Sequence, residues 1–165
     1  MKKILSIAIT LLLSTWCVAQ QQLAFPFQGG NTAMNQFFKD SVTLSRPFME
    51  IKATGVVVFK FTADEKGVIT KLVIYYADDA ILAPPLIEAL KKSNHKWVIP
   101  DHEKSHDFII PFSIGFNAPA TKNEAVQKAV YNYFLKRKPI FSLNQVPLDM
   151  VTLLPTVLVK YSIEE

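Results

Sequence analysis

The segment Gly55–Tyr76, GVVVFKFTADEKGVITKLVIYY, constrains the fold more than any other part of the chain. Two runs of β-branched and aromatic residues flank Asp64-Glu65-Lys66-Gly67, and runs of that kind around a short glycine-containing turn form an antiparallel hairpin. In the first run Val57, Phe59 and Phe61 alternate with Lys60 and Thr62, which predicts one face for a core and one for solvent. In the second, Leu72, Ile74 and Tyr76 share a face opposite Lys71, Val73 and Tyr75. Ile69 is out of step with them. Either it lies on the outer face or a β-bulge shifts the phase.

A third strand is expected at Phe108–Phe116, where Phe108, Ile110, Phe112, Ile114 and Phe116 alternate with period two. Pro111 falls on the opposite face and has no N–H to give a ladder, which favours an edge position. Helical spacing appears in three places. Ala33, Met34, Phe37 and Phe38 share one face of a helix over Asn31–Ser41, with Asn31 or Thr32 as its cap and Arg46-Pro47 as a break beyond it. Leu86, Ala89 and Leu90 form the buried stripe of a helix from Pro84 to Ser93, with prolines in its first turn and Lys91 and Lys92 in its last. Thr121 and Glu124 read as a capping box opening a helix to Arg137, with Val126, Ala129, Val130, Tyr133 and Phe134 as its stripe. Pro139, Pro147 and Pro155 then punctuate an apolar tail, and Thr156–Ile163 has the composition of a last strand. The expected class is α+β: a small three-stranded antiparallel sheet with two helices on one face, in the order α-β-β-α-β, followed by a C-terminal helix and a loop-rich tail. The chain divides into residues 1–20, 21–117 and 118–165, the last packed on or beside the domain.

Residues 1–20 read as a signal peptide. Lys2 and Lys3 precede the apolar run Ile4–Leu13, and Cys17-Val18-Ala19 offers small residues to a signal peptidase, with cleavage expected after Ala19 or Gln20. An uncleaved anchor is the first rival, and the short apolar run weighs against it. A lipoprotein acylated at Cys17 is the second, and Trp16 weighs against that. Cleavage there leaves an exported chain, periplasmic or secreted, with no cysteine, no disulfide and no permanent membrane span. About 145 residues, half of them hydrophobic, suffice for a core without cross-links. Lys2 and Lys3 supply two of the four net positive charges, and the +2 that remains is too small to suggest a nucleic-acid partner.

The ordered set of motifs from Gly29 to Phe116 resembles the TonB C-terminal domain family, in the compact form of Bacteroidetes envelope proteins. Gly29-Gly30 with Ala33 and Phe37-Phe38 is similar to the family's first helix. Gly55–Phe61 with Asp64–Ile69 is similar to its hairpin. Leu82–Leu90 with Lys96-Trp97 and Pro100 is similar to its second helix and the Trp-x-x-Pro beyond that helix, and Pro111-Phe112 to its last strand. The family usually has Asp at the cap of that second helix, where this chain has Ala83. Energy-transducing members carry an uncleaved membrane helix and a long proline-rich linker, and neither pattern occurs here. The resemblance implies capture of a partner segment by strand addition along the last strand, which maps to Asp107, Phe108, Ile109, Ile110, Phe112, Ser113 and Ile114. The competing expectation is that Thr156–Ile163 already covers that edge.

No pattern for catalysis is present. Gly-x-Ser-x-Gly and phosphate loops are missing, and the acidic pairs Asp64-Glu65 and Asp78-Asp79 sit where turns are expected. His102, Glu103, His106 and Asp107 are the one cluster of metal-ligand types, with the histidines four apart. The segment lies between a proline and a strand and lacks a helical stripe, so a solvated loop is expected rather than a metal site. Trp97, Tyr75 and Tyr76 are either binding aromatics or core residues. The expected function is that of a non-catalytic cell-envelope protein, with no cofactor, that binds a peptide or protein segment. The alternative is a structural or assembly subunit with no capture role.

Overall fold

The computed structural model describes residues 25–117 and 123–163. The expected signal peptide and Thr121 lie outside these residues. The described elements are α1 (Gly30–Ser41), α2 (Arg46–Glu50), β1 (Gly55–Asp64), β2 (Ile69–Ala77), a 3-10 turn (Ala80–Leu82), α3 (Ala83–Lys92), β3 (Ser105–Asn117), α4 (Glu124–Lys136), β4 (Ile140–Phe141), β5 (Thr152–Leu153) and β6 (Val157–Ser162). The α+β class holds. The sheet, however, is mixed and six-stranded rather than three-stranded and antiparallel. Its order is β4-β2-β1-β3-β5, and β6 also pairs with β3. The tail joins the sheet through β4, β5 and β6.

The hairpin forms because Asp64 and Gly67 close its turn. The Asp64 Oδ1 accepts from the N–H groups of Lys66 and Val68, both at 2.9 Å. Gly67 has φ +70, and a Cβ there would meet the Trp97 carbonyl oxygen at 2.5 Å, so only glycine fits. Two bulges resolve the phase of β2. Register shifts between Val58 and Phe59 and between Thr62 and Ala63 pair Val57, Phe59, Phe61 and Ala63 with Ala77, Ile74, Leu72 and Ile69. Ile69 is therefore a core-facing residue. Tyr76 is moved to the outer face, contrary to expectation, where it pairs with Val58 and its hydroxyl donates to Asp78 Oδ1.

Helix α1 starts at Gly29, not through Asn31 or Thr32. Gly29 has φ +85, and a Cβ on it would come 2.7 Å from the Cβ of Ala33, which gives a local reason for the Gly-Gly-x-x-Ala pattern. Asn31 instead accepts from the Asn35 side chain at 2.7 Å. Arg46-Pro47 begins a helix rather than only breaking one, because proline suits the first turn of α2. Met34 and Phe38 of α1 and Leu86, Ala89 and Leu90 of α3 are buried with Val57, Phe59, Phe61, Phe108, Ile110, Phe112 and Ile114. Trp97 completes the core. Its ring lies 4.6 Å from that of Phe61, and its Nε1 donates to Ser93 Oγ at 2.9 Å. Asp79 caps the 3-10 turn leading into α3, accepting from Ile81 N–H at 3.4 Å.

The helix α4 is capped by Asn123, whose Oδ1 accepts from Val126 N–H at 3.1 Å. Most of its expected stripe stays out of the core. Tyr133 alone is buried, and Phe134 is 49% exposed. The strand β3 is internal, contrary to the edge position that Pro111 suggested. It is antiparallel to β1 on one side and parallel to β5 and β6 on the other. Pro111 is tolerated because the tail ladder is broken beside it: β5 pairs with Phe108 and Ile109, and β6 resumes at Phe112.

Candidate functional site

The β3 edge expected to capture a partner is filled by the chain's own tail. Phe112, Ser113 and Ile114 pair with Val157, Leu158 and Val159, and Phe108 and Ile109 pair with Thr152 and Leu153. Leu154 N–H adds a bond to the Ile109 carbonyl at 2.8 Å. Asp107, Phe108, Ile109, Ile110, Phe112, Ser113 and Ile114 thus stand on one strand, but not on a free edge. The side chains of Phe108, Ile110, Phe112 and Ile114 are core. The pairing is stable because β6 alternates as β3 does: Val157, Val159 and Tyr161 turn inward, while Leu158 and Lys160 turn out. Tyr161 anchors the strand by donating to the Ala53 carbonyl at 3.0 Å.

The tail reaches that edge by crossing the sheet. After β4 has paired with Tyr76 and Ala77 at the far side, residues 142–151 pass over the face opposite α1 and α3 and arrive at β5. Lys60 projects from that face, donates to the Pro147 carbonyl, and lies 2.7 Å from Asp107 Oδ2. Thr62 donates to the other Asp107 oxygen at 2.6 Å. Burial raises the Asp107 carboxyl, but the hydrogen bonds from Lys60 and Thr62 and the Lys60 charge outweigh it and hold the pKa below the ordinary value.

Open ladder positions remain among the described residues, on the outer sides of the edge strands β4 and β5 and at two longer stretches. Thr70–Ile74 on the outer side of β2 have no strand partner there, and neither has the outer side of β6. The tail also leaves large apolar side chains in water, with Leu143 95% and Met150 86% exposed.

A cleft of about 520 Å³ opens between α4, the end of α2 and the turn before α3. Ile51, Ala80, Ile81 and Ala129 supply apolar wall, with Glu50, Asp79, Asn132, Tyr133, Lys136 and Lys138 around them. Asp79 is buried and accepts from Ile81 N–H and, at 3.3 Å, from Lys138 N–H. The Tyr133 hydroxyl has no hydrogen-bond partner, and burial, reinforced by the Asp79 charge, pushes its pKa to about 12. Arg137 stacks 3.8 Å over the Phe134 ring and donates to the Thr54 carbonyl, leaving its Nε without a partner. None of these residues stood out in the sequence as a site. Asp79 read as an ordinary turn acid, and Ala129 and Tyr133 as core.

Of the histidine cluster, His106 and Glu103 bond each other, while Asp107 is taken up by Lys60 and Thr62. His106 has both ring nitrogens engaged, Nδ1 with Glu103 Oε2 at 2.7 Å and Nε2 with Thr152 Oγ1 at 2.8 Å. His102 sits in a turn with φ +71. Among the described residues no three His, Cys, Asp or Glu side chains are grouped to hold a metal ion. Trp97 is core and Tyr75 is half-exposed. Among the described residues no helix is long and apolar enough to cross a membrane. Comparison of the chain with known families, curated proteins and solved structures finds no match.

Proposed function

We propose that this protein is a non-catalytic, exported part of the cell envelope, built on a TonB-like core, that works as a structural or assembly subunit. The observation that carries this reading is the pairing of β5 and β6 with β3. An incoming segment would have to compete with a strand already covalently attached, which is present at high effective concentration. Assembly through the remaining surface needs no such exchange. The exposed apolar residues of the tail favour a protein contact there.

A second reading, capture by displacement of the tail, is favoured by the break in the ladder beside Pro111 and the two-residue length of β5. One experiment separates them. Ser113 and Leu158 face each other in register, so S113C/L158C can lock β6 onto β3 by a disulfide. Crosslinking in the native envelope is then compared for wild-type and locked protein. Assembly predicts the same partner for both. Displacement predicts loss of the partner on locking. A chain that crosslinks to no partner in either form contradicts both readings.

A further inference from the structure

We propose that the cleft between α4 and the Asp79–Ile81 turn binds a single-chain amphiphile, an apolar chain ending in an anionic group. The cleft, about 520 Å³, falls in the range of roughly 300–1,000 Å³ typical of small-ligand sites. Its wall on α4 is formed by Ala129, Asn132, Tyr133 and Lys136, which recur at spacings of three and four and so share one face of the helix. The seven-residue step from Ala129 to Lys136 runs about 10 Å along the helix. It leads from the small apolar end of the cleft to a cationic end.

The opposite wall fits the apolar part of such a ligand. Ile51 and Ile81 are each 40% exposed at the cleft, and covering them with a hydrocarbon chain removes that surface from water. The charges select the sign of the head group. Glu50 is held by Arg46 at 3.1 Å, and the Asp79 carboxylate is bonded to two backbone N–H groups. Among the described residues the side chains of Lys136 and Lys138 take part in no ion pair. Asp79 lies at their end of the cleft as well, accepting from the Lys138 N–H, so its carboxylate offsets one of the two ammonium charges and an anion there still meets a net positive charge. The helix itself buries only Tyr133, so a ligand that fills the cleft adds contacts that hold α4 to the body.

The test uses the purified chain with octanoate, decanoate and decyltrimethylammonium below their micelle-forming concentrations and decanol below its solubility limit, with calorimetry as the readout. Decanoate is expected to bind saturably and more tightly than either decyltrimethylammonium or decanol. Two added methylenes should tighten binding about tenfold between octanoate and decanoate. K136Q/K138Q should weaken decanoate about fivefold at low salt and leave decanol unchanged. Ala129→Trp, which fills the cleft, should abolish binding of both. Amide exchange over Glu124–Lys136 should slow with decanoate present. Vesicles of phosphatidylglycerol and a four-residue apolar peptide with a free carboxylate distinguish the sources of such a group. Vesicle binding in addition to decanoate points to a membrane lipid, and decanoate alone to a free acid. Adhesion to vesicles with no decanoate binding, tighter binding of the peptide than of decanoate, equal affinity for the cationic and anionic amphiphiles, or undiminished binding by Ala129→Trp overturns the proposal.

Discussion

Lys60 and Asp107 form a 2.7 Å ion pair across β1 and β3, and the same ammonium holds the carbonyl of Pro147 in the tail. A position that reads as solvent-facing by alternation is thereby a buried cation fastening residues 142–151 to the sheet. Lys60→Met keeps most of the stem but removes the charge. It should cost about 1.5–3 kcal/mol, the usual worth of hydrogen bonds to a charged group, and should speed proteolytic cleavage between residues 142 and 151. Denaturant unfolding and timed proteolysis check the two effects. Unchanged cleavage would mean that other contacts hold the crossing.

The same pair sets an acid limit. Asp107 has a folded-state pKa below its ordinary value, so its contribution to stability is complete above the unfolded pKa, near 4, and is lost as the pH falls through the lower folded value. The melting temperature should therefore drop more steeply on acidification in wild type than in Asp107→Asn. Parallel pH profiles for the two proteins would refute the assignment.

Two buried tyrosines should behave differently although both have pKa values raised to about 12. Tyr161 donates to Ala53, so Tyr161→Phe should cost about 1 kcal/mol. The Tyr133 hydroxyl has no partner, so Tyr133→Phe should be near neutral. In wild type, stability should fall as the pH rises from about 10, the unfolded value, towards 12, because ionised tyrosine is disfavoured in the folded state. Phenolate absorbance followed alongside circular dichroism checks that ionisation and unfolding coincide.

Phe59 is fully buried, with its ring 5.9 Å from that of Phe112 and set edge-on to it. Phe59→Ala should cost about 3–5 kcal/mol, a large share of the stability of a domain of this size. Thermal melting checks this, and an unchanged curve would place Phe59 outside the core.

The parts legible in the sequence are those whose side chains repeat in phase with a buried surface. Phe108–Ile114 and Val57–Phe61 alternate without interruption, and Leu86, Ala89 and Leu90 keep helical spacing, so β1, β3 and α3 were readable. The bulge that moves Tyr76 to the outer face leaves no mark in composition. β4 and β5 are two residues each, too short to show any period. In α4 an apolar stripe exists, but periodicity reports only that a stripe is present and says nothing of what it touches. Pro111 misled for a related reason. A missing donor requires only that the neighbouring ladder be interrupted at that point, and Pro155 in the tail accompanies such an interruption. The cleft is a product of long-range placement. Glu50, Asp79 and Lys136 lie far apart along the chain, and no local pattern joins them.

The parallel pairing of β3 with β6 also fixes an order of events. Phe112 and Val157 are partners across 45 residues, and the intervening chain must close a large loop before that contact exists. In the folding chain the antiparallel pairs of β1 with β2 and β3 begin from shorter loops than the pairing of β6 with β3 requires, so they can form before the second side of β3 is covered. Throughout that interval Phe108–Phe116 presents a long apolar strand with one unsatisfied side, the kind of surface through which partly folded chains associate with one another. The last segment to pair is thus the one that ends the exposure. A chain truncated between residues 117 and 151 lacks β5 and β6 and leaves this strand open.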